Sequence, residues 1–125
     1  MTSIQPELWV DDPVAAIRFY ETAFEATVLH RVGAEHDIVA QLAVGEARFW
    51  VALTNPDTGR FSPFVIQGAT SRTLLVVEDP DEVLRRAVSA GADELAPVGD
   101  EHRWRLGRIL DPFGHEWEIG RPNQE

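Results

Sequence analysis

The chain has 125 residues, 44% of them apolar, with four Trp and six Phe, which is enough to fill the core of one domain. Eleven Lys and Arg against 21 Asp and Glu give a net charge of −10, which repels phosphate backbones and removes nucleic acid from the expected partners. There is no cysteine, so disulfides, thiolate nucleophiles and zinc–thiolate sites are excluded and any metal needs nitrogen or oxygen ligands. No basic segment leads into an apolar run at the start, and no apolar stretch is long enough to span a bilayer, so the expectation is a cytoplasmic chain with no membrane partner.

Ile4 to Val10 reads as a strand, and Asp11-Asp12-Pro13 then starts a helix, with Asp12 as N-cap and Pro13 at the first helical position. Ile17, Tyr20 and Phe24 follow at helical spacing and form its packing stripe. Thr27 to Val32, Asp37 to Val44 and Ala47 to Leu53 read as strands separated by turns at Gly33 and Gly45. The stretch from Thr54 to Ala69, with Pro56, Gly59, Pro63 and Gly68, is a connection, expected to be tethered by Phe61, Phe64, Val65 and Ile66.

The pattern then restarts. Arg72 to Val77 is a strand, and Glu78-Asp79-Pro80 repeats the helix start, with Glu82 placed as a capping-box partner for Asp79. Leu84, Ala87 and Val88 form the helix stripe, Gly91 stands past its end, and Asp93 to Val98, Arg103 to Leu110 and His115 to Ile119 complete three more strands. Val10 and Val77 are 67 positions apart, and the same offset places Ile17 on Leu84 and Trp50 on Trp117. Such a repeat predicts two copies of one unit around a shared cleft. Residues 1–125 are one domain, with a first βαβββ module at 1–54, a connection at 55–70 and a second module at 71–121.

These features, above all Leu8-Trp9-Val10-Asp11-Asp12-Pro13 with Phe19-Tyr20, and the closing Gly107-Arg108-Ile109-Leu110-Asp111-Pro112-Phe113-Gly114-His115-Glu116-Trp117-Glu118, resemble the vicinal oxygen chelate superfamily of glyoxalase I, bleomycin-resistance proteins and extradiol dioxygenases. The resemblance implies an α+β fold in which tandem βαβββ modules form a curved mixed sheet around a cleft, and a homodimer in which half-modules exchange or abut. It says less about activity, because one scaffold carries many functions.

Metal-using members of that superfamily hold their ion at one position on the first and last strand of each half. The resemblance places these at Gln5 and Val51, and the 67-residue offset adds Arg72 and Glu118. Val51 has no lone pair, Arg72 is a permanent cation and Gln5 is a weak ligand, so no metal cofactor is favoured. A pairing of Arg72 with Glu118 satisfies both groups. The alternative keeps a divalent metal on Glu118 with Gln5 or Glu7, in a metal-assisted lyase, isomerase or transferase of the glyoxalase type. Glu118 is also the candidate catalytic residue, as a general base beside a carbonyl, against a structural role in an ion pair.

Gln5, Glu7 and Trp9 share a strand face. Trp9 and Trp104 are candidates for stacking on a planar or cationic ligand, with sheet core as the competing role. Trp50 and Trp117, opposite in parity to Val51 and Glu118, are expected in the core under the helices. Trp104 and Arg108 share the face opposite Arg103 and Arg105, so Arg108 either holds an anionic group in the cleft or forms a surface ion pair. His115 is expected to make a structural hydrogen bond. Together these readings favour a binding protein for a small organic molecule such as an antibiotic, with Gln5, Glu7, Trp9, Val51, Arg72, Trp104, Arg108 and Glu118 lining its cleft.

Overall fold

The structure is a computed structural model and describes residues 1–124. Strand β1 (Glu7–Val10), helix α1 (Pro13–Phe24) and strands β2 (Thr27–Ala34), β3 (Asp37–Val44) and β4 (Ala47–Leu53) form the first copy. A 3₁₀ turn at Pro56–Thr58 and the one-turn helix α2 (Pro63–Ile66) occupy the connection. Strand β5 (Arg72–Val76), helix α3 (Pro80–Ser89) and strands β6 (Asp93–Glu101), β7 (Trp104–Leu110) and β8 (Glu116–Pro122) form the second copy.

Both helix starts obey the sequence signals. Asp12 Oδ1 accepts from the Ala15 N–H at 3.1 Å and Asp79 Oδ1 from the Glu82 N–H at 3.2 Å, with proline at the first helical position each time. Glu82 directs its carboxylate to Arg85, at 2.9 and 2.6 Å, instead of returning to complete a capping box. β1 begins three residues later than the sequence suggests. Pro6 has no N–H for the ladder, although its carbonyl accepts from the Trp50 N–H at 2.8 Å.

The connection is fastened differently from expectation. Phe61, Phe64, Val65 and Ile66 all stay exposed, while Ser62 and Pro63 are buried. The Ser62 N–H donates to Thr54 Oγ1 at 3.0 Å, and Ser62 Oγ caps α2 by accepting from the Val65 N–H.

The strands make two four-stranded mixed sheets of identical order, β1-β4-β3-β2 and β5-β8-β7-β6, each with its first strand parallel to its last. α1 covers one face of the first sheet, α3 one face of the second, and the helices pack on each other. The helix-side faces therefore share one core. Phe24 and Trp117 rings lie 4.9 Å apart, Tyr20 and Phe49 5.2 Å, and Phe49 and Trp117 5.5 Å, bringing both copies into one aromatic cluster. Arg86 Nε donates to the Ala23 carbonyl at 2.9 Å and ties α3 to the end of α1. The other face of each sheet points outward.

The repeat slips by one residue inside the second copy. Leu8 pairs with Val51 and Leu75 with Ile119, all four on the helix side, so positions 8 and 75 are 67 apart but 51 and 119 are 68 apart. Leu42 pairs with Phe49 and Ile109 with Trp117, which confines the extra residue to the turn between β7 and β8. Phe49, not Trp50, is the counterpart of Trp117. Two expectations fall with this shift, because side-chain direction alternates along a strand. Val51 is 0% exposed in the helix-side core and lines no cleft, and Trp50 points outward instead of into the core.

The longer turn is held by Asp111. This buried carboxylate accepts from the Phe113 and His115 N–H groups on Oδ1, each at 2.9 Å, and from Tyr20 Oη at 2.5 Å and Trp117 Nε1 at 2.9 Å on Oδ2. Gly114 completes the turn at φ 88°, a conformation that costs most side chains strain. His115 Nε2 lies 2.8 Å from the Trp9 carbonyl, a structural bond between the copies.

Candidate functional site

The outward face of the first sheet is built in rows across the strands. Glu7, Trp50, Gln41 and His30 form one row, and Trp9, Ala52, Val39 and Val32 form the next. Gln5 lies just before β1 and reaches over this face, where its Oε1 accepts from Gln41 Nε2 and from Trp50 Nε1, both at 2.9 Å. The Arg60 guanidinium sits 5.2 Å from the centre of the Trp9 ring, within cation–π range. Glu7 is exposed at the end of its row.

The outward face of the second sheet is charged. Arg108 Nε donates to Glu118 Oε2 at 3.2 Å, Arg72 Nε is 3.5 Å from Glu118 Oε1, and Arg72 Nη1 donates to Glu116 Oε1 at 3.3 Å. Trp104 shares this face, and so do Leu74 and Val76, which are 43% and 55% exposed. Arg105 points the other way and binds Asp81 at the start of α3 with two bonds of 2.8 and 2.7 Å, which lower the Asp81 pKa.

Arg72 and Glu118 thus meet, and Arg108 joins them, with Trp104 farther along the same face, but not beside Gln5. Helices between the sheets send the two outward faces in different directions. What lies between the copies is a cleft of about 820 Å³, lined by Gln5, Arg48 and Phe49 from one copy and Thr73, Leu75 and Trp117 from the other. Val51, Arg72 and Glu118 are not part of its wall. Its size is that of a site for a small organic molecule.

The residues present do not fit a metal. Corrected for the slip, the four outward positions are Gln5, Trp50, Arg72 and Glu118, and an indole N–H and a guanidinium are donors that ligate nothing. Both Glu118 oxygens face arginines. Among the described residues, no three His, Asp or Glu side chains come together as a metal-holding group. No helix among these residues is long and apolar enough to cross a membrane.

Gln41 and Asp111 are the site and scaffold residues whose roles sequence reasoning passed over, and Trp50 was assigned to the wrong face. Gln41 carried a signal, as the lone amide in the apolar run Ile38-Val39-Ala40-Gln41-Leu42-Ala43-Val44. Asp111 carried another, since Asp before Pro in a turn commonly binds the backbone two residues on.

Two four-stranded mixed sheets enclosing two helices, with a twofold repeat of cap and topology, define a twin-module α+β protein. The chain belongs to the Glyoxalase/Bleomycin resistance protein/Dioxygenase superfamily, whose family model matches residues 3–119. Uncharacterized proteins of Mycobacterium bovis and Mycobacterium tuberculosis are each 34% identical to it over 98% of this chain, spanning 85% and 76% of their own lengths. Among solved structures, TioX from a Micromonospora species superposes with a TM-score of 0.74 at 28% identity, covering 99% of this chain and 98% of that one. The fosfomycin resistance protein FosX from Listeria monocytogenes, solved with Mn(II) and a dihydroxypropylphosphonic acid, superposes with a TM-score of 0.75 over 100% of this chain and 94% of its own. At 15% identity that likeness is one of fold.

Proposed function

We propose that the protein binds a small organic molecule, in the manner of a sequestering resistance protein, and does so without a metal. The observation that carries this reading is the 820 Å³ cleft between the copies, together with the amide and indole cluster that Gln5 joins to it. Membership of a superfamily that includes bleomycin resistance proteins supports the same reading. The exposed Leu74 and Val76, on a sheet face that no helix covers, further suit a homodimer in which a second copy shields them.

Melting measurements test both parts. Planar and cationic antibiotics are expected to raise Tm as their concentration rises, by about 2.7 kcal/mol of stabilisation at a hundredfold excess over Kd. For the assembly, Tm is expected to rise with protein concentration in the absence of any ligand. A Tm indifferent to every such compound sinks the binding reading, and one indifferent to protein concentration sinks the dimer.

A further inference from the structure

The cleft between the copies carries one cationic side chain. Among the described residues of its wall, Arg48, near the start of β4, is the only arginine, and Glu46, in the turn before it, is the only acidic residue. Elsewhere Arg72, Arg85, Arg86, Arg105 and Arg108 are paired with carboxylates, and Arg60 lies over the Trp9 ring. Arg48 has neither kind of partner among the described residues, in a chain with 21 Asp and Glu against 11 basic residues. Glu46, two positions earlier, forms no ion pair with it. The guanidinium is left open to the cleft.

The wall beside it is apolar. Ala43 pairs with Arg48 across the sheet, and Leu29 on β2 is the extra residue of a bulge, where the register passes from Val28 opposite Leu42 to His30 opposite Gln41. A bulge re-aims the side chain it carries. Leu29 is 39% exposed and Ile4, before β1, is 94% exposed, so both have apolar surface left to cover. An apolar wall ending on an unpaired guanidinium fits a molecule with an apolar body and one carboxylate, whose two oxygens match the guanidinium fork. A phosphate carries more charge and is opposed by Glu46 and by the net charge of −10. We infer that the cleft takes an organic acid, with its carboxylate on Arg48 and its apolar body against Leu29 and Ile4. This rests on the small-molecule reading and deepens it by fixing the charge of the group that enters the cleft. A planar or cationic antibiotic satisfies it by carrying a carboxylate as well.

Phenylacetate, phenethyl alcohol and phenethylamine share a ring on a two-carbon arm and differ in the charge at its end. The net charge of the protein by itself favours the amine, so the three probes separate a site from a general field. In titrations of the ¹⁵N-labelled full chain, the acid is expected to move the Leu29, Ala43 and Arg48 signals and to bind about tenfold more tightly than the alcohol or the amine. In Arg48→Met that preference is expected to vanish, and in Arg48→Lys to persist in part. Equal binding of acid and alcohol in the parent protein, or tighter binding of the amine, overturns the inference, and neither comparison needs a variant to fold. A preference for the acid that survives in Arg48→Met also overturns it. Acid that moves signals only around Arg72 and Arg108 overturns this site and leaves small-molecule binding standing. No movement with any probe overturns the inference, while the antibiotic melting series judges the broader reading separately.

Discussion

Replacing Asp111 by alanine is expected to destabilise the protein by about 3–5 kcal/mol, a large share of the stability of a domain this size. The reason is the number of donors that depend on it. Four groups, from Tyr20, Trp117 and the backbone of Phe113 and His115, converge on one buried carboxylate and have no water to turn to. Tyr20→Phe removes a single bond to a charged acceptor and is expected to cost about 1.5–3 kcal/mol. The same pair sets an alkaline limit. Burial pushes the Tyr20 pKa well above its usual 10.0, and the neighbouring Asp111 charge adds to the shift. The unfolded chain therefore ionises this tyrosine above about pH 10 while the folded protein keeps it neutral, so its contribution is intact below that pH and is lost as pH rises. Denaturant titrations across pH check both points. A loss below 1 kcal/mol for Asp111→Ala, or an alkaline decline unchanged in Tyr20→Phe, contradicts this account.

The two tryptophans that share a place in the sequence repeat are expected to behave differently. Trp117 lies in the aromatic cluster at 2% exposure, and its replacement by alanine is expected to cost about 3–5 kcal/mol. Trp50 stands on the outward face with one indole bond to Gln5, and Trp50→Ala is expected to cost about 1 kcal/mol. Were the offset of 67 unbroken, both would be core and the two losses would match. Urea denaturation of the two variants under one set of conditions decides between these outcomes.

That contrast shows which parts of the structure were legible from residues alone. The helix starts at Asp12-Pro13 and Asp79-Pro80 were readable because capping is a local matter of a few bonds. The order of elements, one strand, one helix and three strands in each half, followed from the repeat and the family resemblance. The faces of Trp117 and Glu118 on β8 were read correctly, but those of Trp50 and Val51 on β4 were not, because a period of two turns a single inserted residue into a full reversal. The insertion sits in the Asp111–His115 turn, within the motif that signals the family, so the recognisable stretch concealed the slip. Ahead of that turn, Gln5, just before β1, and Arg72, on β5, kept the faces expected of them, and Arg72 does meet Glu118. The Gln41 carbonyl was beyond reach for another reason: its lack of a partner among the described residues depends on the orientation of two neighbouring side chains, which no spacing encodes.

The claim that ligand binding here needs no metal is tested most directly by melting the parent protein and Glu118→Gln with divalent cations, with a chelator and with neither. The account predicts that Tm is unmoved by Mn(II), Zn(II) or Mg(II) and by chelator in both proteins, because Glu118 is held between Arg72 and Arg108. A rise in Tm with one of these ions that is lost in Glu118→Gln would contradict it and place a metal centre on that carboxylate.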